Sequence, residues 1–139
     1  MTSTDDRPVV VGYDGSECAR QALHWAADYA SVVGAPLAIV TAWEWPQSYG
    51  APVAYDGYDP RADAERLVGA ARATVHLPTE RISVDVREGS ARRILCAAAE
   101  QAQLLVVGST GHSTLSGLVL GSVSAYCVQH ADAPVVVVR

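Results

Sequence analysis

The sequence predicts a single doubly wound α/β domain, a five-stranded parallel sheet with helices on both faces. Three observations predict it. Five short aliphatic runs recur along the chain, four of them nearly continuous in apolar character, as strands buried on both faces of a parallel sheet are. Segments of helical period stand between them, so strand and helix alternate from one end to the other. The chain of 139 residues suits one domain with a proper core and leaves too little for two, so the domain is expected over 1–139.

The first run, PVVVGY at 8–13, reads as a strand. The helix after it covers Glu17–Val33, where Ala19, Ala22, Leu23, Ala26, Ala30 and Val33 recur on one face; Gly34 and Pro36 end it. PLAIVTAW at 36–43 is the second strand. The stretch 44–60, EWPQSYGAPVAYDGYDP, then breaks the rhythm with prolines, glycines and tyrosines in no usable period, a long connection that is either functional or mobile. Trp43 and Trp45 flank its start, able to pack on a planar ligand or to anchor the loop.

A second helix is expected over 61–76, stopped before Pro78. RISVDV at 81–86 alternates in polarity, which places it toward a sheet edge. The third helix, over 90–102, carries Ala91, Ile94, Leu95, Ala98 and Ala102 on one face. QLLVVG at 103–108 is the fourth strand. The last helix, Ser122–His130, has Val123, Tyr126, Cys127 and His130 on one side, and PVVVV at 134–138 is the fifth strand.

Charge and composition exclude several functions. The net charge is −5, and every basic residue is an arginine. An acidic surface without a basic cluster disfavours nucleic acid as a partner. With no lysine in the chain, a P-loop of the G-x-x-x-x-G-K-[ST] kind is impossible. No apolar run approaches the ~20 residues of a membrane span. The polar, acidic start MTSTDDRP lacks the pattern of a secretory signal, so the expected compartment is the cytoplasm. Cys18, Cys96 and Cys127 are far apart in sequence and read as small buried residues on helices; His24, His76 and His130 show no metal-ligand spacing.

Ligands of open α/β sheets bind where the winding order reverses, beyond the carboxyl ends of the strands. Two loops suit such a crevice: GYDGS at 12–16 after the first strand, and VVGSTGHSTLSGLVLGSVS at 106–124 after the fourth. In the second, Gly121-Ser122 opens the last helix, with Ser122 as a natural N-cap. First-turn amides have no partners within their helix, and the dipole adds partial positive charge, so the start of a helix attracts anions. Glycines allow a polyphosphate to approach the backbone, and Ser109, Thr110, Ser122 and Ser124 add hydroxyls. Glycine-rich turns after strands are also common without any ligand. Asp14 likewise has an ordinary reading, as a turn residue before the first helix.

These motifs resemble the universal stress protein family, whose ATP-binding branch carries G-x2-G-x9-G-[ST]; Gly108, Gly111, Gly121 and Ser122 fit that pattern without a gap. VVVGYDGS, PLAIVTAW and ADAPVVVVR are similar to the family as well, so the resemblance covers essentially the whole chain and is weakest at 44–60. It implies a Rossmann-like fold of the adenine nucleotide α-hydrolase type, with strand order 3-2-1-4-5. It implies ATP as ligand, with Mg2+ or Mn2+ as a possible companion, bound from several positions. Gly12 and Asp14 follow the first strand, and Ala42 stands on the second, where main-chain groups read the adenine edge. Val107, Gly108, Ser109, Gly111 and His112 surround the fourth strand's end. Gly121, Ser122, Val123 and Ser124 begin the last helix, with Ser124 near the terminal phosphates. An acidic residue commonly follows GSVS in the family and would form a capping box with Ser122; Ala125 stands there instead.

Phosphoryl transfer needs a positioned nucleophile, charge stabilisation and usually a metal. His112 and Asp14 are the nearby candidates, so the expectation is a nucleotide-dependent regulatory protein of the stress response with at most slow ATP hydrolysis. The alternative is a dimerising signalling module in which nucleotide binding has no role. The resemblance also implies a homodimer through Val135–Val138, antiparallel to its twofold mate, which an uncovered apolar edge would favour.

Overall fold

The computed structural model describes residues 5–45, 47–48, 51–52, 57–110 and 120–139. Strands β1 (Val9–Gly12) and β2 (Leu37–Trp43) are joined by α1 (Glu17–Val33). A two-residue antiparallel ribbon, β3 (Gln47–Ser48) with β4 (Ala51–Pro52), occupies part of the long connection read over 44–60. Then come α2 (Pro60–Ala73), a 3-10 turn at Thr79–Arg81, β5 (Ile82–Glu88), α3 (Ala91–Ala99), β6 (Leu104–Gly108), α4 (Ser122–His130) and β7 (Val135–Val138). The main sheet runs β5-β2-β1-β6-β7 with all pairs parallel, which is the 3-2-1-4-5 order once the ribbon is set aside.

Alternation along the strands divides the core. Val9 and Val11 of β1, Leu37 and Ile39 of β2, and Leu104 and Val106 of β6 face α1 and α2. Val10, Val40, Leu105 and Val107 point the other way, against α3 and α4. This double burial is why these runs lack polar residues. The alternating run at 81–86 is the sheet's edge strand β5, as its pattern predicts. At the other edge, all four valines of β7 are half-buried.

Several boundaries differ from the sequence reading, each for a local reason. Helix α2 begins one residue early, because Asp59 accepts from the amides of Arg61 and Ala62 and Pro60 takes the first helical position. It ends at Ala73, short of 76, where the Thr74 hydroxyl donates to Ala71 O at 2.7 Å. Helix α3 keeps only Ala91–Ala99 of the expected 90–102. Val33, read on the buried face of α1, is 38% exposed. His130, read beside Cys127, is also exposed. Helix α1 has no basic residue in its last turn, and a distant one serves: Arg81 donates to Ala30 O and Ala35 O at 2.7 and 2.8 Å. Gly34 closes the helix in the left-handed region at φ 74°.

The expectation that Ser122 caps α4 is corrected. Gly121 is the N-cap, in extended conformation, and its carbonyl accepts the first helical bond from Ala125 N at 3.0 Å. Its own N–H donates to Ser109 O at 2.7 Å, a tertiary bond that fixes where the helix begins. Ser122 is therefore the first helical residue, and a capping box built on it does not apply.

The cysteines also part company. Cys127 is buried against Cys96, and burial first, then that neighbouring thiol, push its pKa up to about 12. Cys18 and Cys96 are only half-buried. Among the described residues no helix is long and apolar enough to cross a membrane.

Candidate functional site

The chain leaves β1 for one side of the sheet and returns, after β5, to the other, so the winding reverses between β1 and β6. A cleft of about 310 Å³ lies beyond the carboxyl ends of these strands. That is the lower end of the ~300–1,000 Å³ typical of small-molecule sites.

Its apolar floor comes from Val40 and Ala42 of β2, Leu95 of α3, Val107 of β6 and Val123 of α4. Gly12 ends β1 at the cleft, where a Cβ would stand 2.7 Å from a methyl of Leu95. The small residue lets α3 close over the strand end. Ala42 contributes main chain as well as a methyl. Val40 O accepts from Tyr13 N at 2.9 Å, so the polar groups of Val40 face β1. Backbone groups alternate sides along a strand, and those of Ala42, two residues on, face the same way, past the end of β1 at Gly12. Trp43, of opposite parity, gives its carbonyl to Gly89 N at 2.9 Å on the β5 side.

After β1 the chain turns on its own side chains. Thr41 Oγ1 donates to Tyr13 O at 2.9 Å, and Asp14 Oδ1 accepts from Ser16 N at 2.9 Å. Gly15, at φ +80°, supplies the left-handed residue. Ser16 Oγ then accepts from Ala19 N at 3.2 Å and caps α1. Asp14 thus holds the turn and also lines the cleft, exposed to solvent.

The opposite wall is the end of β6 and the start of α4. Gly108, Thr110 and Gly121 through Ser124 line it. The Ser124 hydroxyl, 2% exposed, donates to Ser109 O at 2.9 Å and Gly121 O at 3.1 Å, tying strand end to helix start. Among the described residues neither α3 nor α4 receives a side-chain cap, and neither helix has an acidic residue in its first turn. Gly108 serves packing: a Cβ there would stand 2.8 Å from the carbonyl carbon and the Cβ of Cys18 in α1. Cys18 Sγ lies 3.4 Å from Thr110 Oγ1 and 3.7 Å from Ser109 Oγ; these hydroxyls, Thr110 first, hold its pKa below the ordinary thiol value.

Of the residues predicted from sequence, Gly12, Asp14, Ala42, Val107, Gly108 and the four from Gly121 to Ser124 meet at this one cleft. Ser109 stands beside it, contributing its carbonyl to the loop rather than a wall. Gly111 and His112 lie outside the described residues. Sequence reasoning did not single out Tyr13, Ser16, Ala19, Val40, Ala91 and Leu95 as lining residues. Nothing in an apolar face at helical spacing distinguishes core from cleft floor. Among the described residues no cluster of His, Cys, Asp or Glu suited to a metal ion occurs.

The family model for the universal stress protein family matches residues 7–139. A universal stress protein of Mycobacterium tuberculosis is 38% identical over 136 residues, 95% of this chain and 45% of that protein. Another from the same organism is 34% identical over 148 residues, 100% of this chain and 47% of that one. The chain spans about half the length of these curated relatives. Among solved structures, a universal stress protein in complex with cAMP is 31% identical with a TM-score of 0.66, covering 96% of this chain and 97% of that one. A universal stress protein from Lactobacillus plantarum, 23% identical with a TM-score of 0.69, covers 99% of this chain and 100% of that one and shares the fold.

Proposed function

This chain belongs to the universal stress protein family, and from that premise we propose that its cleft binds an adenine nucleotide, ATP in the first place, in a regulatory role. One observation carries the reading: at the β1/β6 switch, an apolar floor leads to two helix starts that no side chain among the described residues caps. The floor suits a planar base, and Ala42 directs its N–H and C=O toward it as an edge-reading pair. Asp14 can accept from ribose hydroxyls or the adenine amino group. The amides opening α4 suit the phosphates, with Gly108, Ser109 and Ser122 to Ser124 around them. The cAMP complex of the 31% identical neighbour supports an adenine nucleotide as the shared chemistry. A divalent ion, where one takes part, would sit on the phosphates.

Hydrolysis is at most slow in this reading. Among the described residues the titratable side chains lining the cleft are Asp14 and Tyr13, and Asp14 is engaged in its turn. The protein acts as a homodimer through β7, whose half-buried valines leave an edge suited to an antiparallel mate. Light scattering of the purified protein tests this, and a strict monomer removes the dimer.

Mass spectrometry of small molecules released on denaturing purified protein, followed by calorimetric titration with ATP, tests the ligand. Release of an adenine nucleotide is expected; absence of binding at millimolar ATP overturns the reading. Gly121→Val is expected to weaken ATP binding by more than about tenfold while the protein stays folded. Valine tolerates the extended backbone there, φ −68° and ψ 169°, but its branches crowd the phosphate approach.

A further inference from the structure

Resting on the nucleotide reading above, we infer that Arg92 is the cation that takes the phosphate end of the ligand. The chain has no lysine, so any positive side chain at the cleft must be an arginine or a histidine. Most arginines are engaged elsewhere. Arg7, Arg20, Arg61, Arg66 and Arg87 each pair with a carboxylate, and Arg81 is spent on the carbonyls closing α1.

Arg92 is placed differently. It is the second residue of α3, between Ala91 and Leu95, which both line the cleft. Its guanidinium carbon sits 5.3 Å from the centre of the Tyr126 ring on α4. That ring stacks in turn on His130, with centroids 4.0 Å apart and planes 20° from parallel. Tyr126 follows Ser122 by about one helical turn, so the ring that holds the guanidinium belongs to the turn next to the start of α4.

Among the described residues no carboxylate forms an ion pair with Arg92; it rests on a neutral π face. The ring positions the cation without neutralising it. Arg92 is exposed, which leaves its long side chain room to turn toward the helix start. There its planar fork can give two parallel hydrogen bonds to phosphate oxygens. Arg93, about 100° further round the helix and exposed as well, serves as an internal control.

The assignment separates recognition of phosphate from recognition of nucleoside. Calorimetric titrations of wild type, Arg92→Gln and Arg93→Gln with ATP and with adenosine, at low and high salt, test it. Arg92→Gln is expected to weaken ATP by about tenfold or more, to leave adenosine within about twofold, and to reduce the salt dependence of ATP binding. Arg93→Gln leaves both ligands unchanged. Unchanged ATP affinity in Arg92→Gln, or equal losses for ATP and adenosine, overturns the role of Arg92 while leaving the nucleotide site standing. A wild-type protein that binds neither ligand overturns the nucleotide reading itself, and this inference with it.

Discussion

The two faces of the sheet begin their helices in opposite ways. On one face, α1 is capped by Ser16 and carries Glu17 in its first turn, while α2 is capped by Asp59 and carries Asp63. On the other, α3 follows Ser90 without a side-chain cap and opens with arginines, and α4 opens on Gly121 with no cap and no acid. A helix start needs something to accept from its first amides and to oppose its positive end. The first face supplies both from within the chain; on the second, no side chain among the described residues supplies either. In the nucleotide reading proposed above, the anionic ligand belongs on the second face, and the contrast between the faces argues for that place better than any one glycine does.

The sharpest way to break the contrast is to close an open start. Ser122→Asp puts a carboxylate at the first helical position of α4, where the dipole favours it by about 0.3–1 kcal/mol. The same charge repels a phosphate, and like-charge juxtaposition at a binding surface costs several kcal/mol. Urea denaturation is expected to show unchanged or slightly raised stability, and titration to show ATP affinity reduced by well over tenfold. A variant that binds ATP normally would mean that the α4 start is not where the phosphates sit.

Gly108→Ala probes the glycine that the motif assigns to phosphate but that the packing assigns to α1. The added Cβ would come within 3.0 Å of three atoms of Cys18, two of them backbone, so strand and helix must part. A loss of about 1–3 kcal/mol is expected from such overpacking. If the variant keeps full stability and loses only nucleotide, Gly108 serves the ligand and the closed face needs no such clearance.

That glycine shows what the sequence made legible and what it did not. The strands were readable because a sheet covered on both faces demands uninterrupted apolar residues, and β5 was readable because its edge position lets it alternate. The cleft was readable as a place, since ligands of alternating α/β sheets bind where the winding reverses and the family resemblance implied the strand order that puts this reversal between β1 and β6. Gly108 was not readable in its packing role, because a glycine that admits a helix looks the same as one that admits a phosphate. Ser122 misled for a related reason. Cap preference is a local tendency, and the bond from Gly121 N to Ser109 O, made across the loop, overrode it. Arg81 closing α1 and Arg92 resting on Tyr126 join residues remote in sequence, and an arginine on an exposed helix turn carries no sign of its partner.

The smallest expected effect comes from opening a closed start. Ser16→Ala removes the oxygen that accepts from Ala19 N, and loss of such a cap typically costs about 1 kcal/mol. The Asp14 bond to Ser16 N is unaffected, since it uses the main chain of residue 16, so the turn beside the cleft keeps its shape. Denaturation is therefore expected to register the substitution and ATP titration to ignore it, the reverse of Ser122→Asp. Should Ser16→Ala instead improve ATP binding, the freed amides of α1 would be competing for the phosphates. The division between a self-satisfied face and a ligand-satisfied one would then rest on the caps themselves rather than on the way the helices surround the cleft.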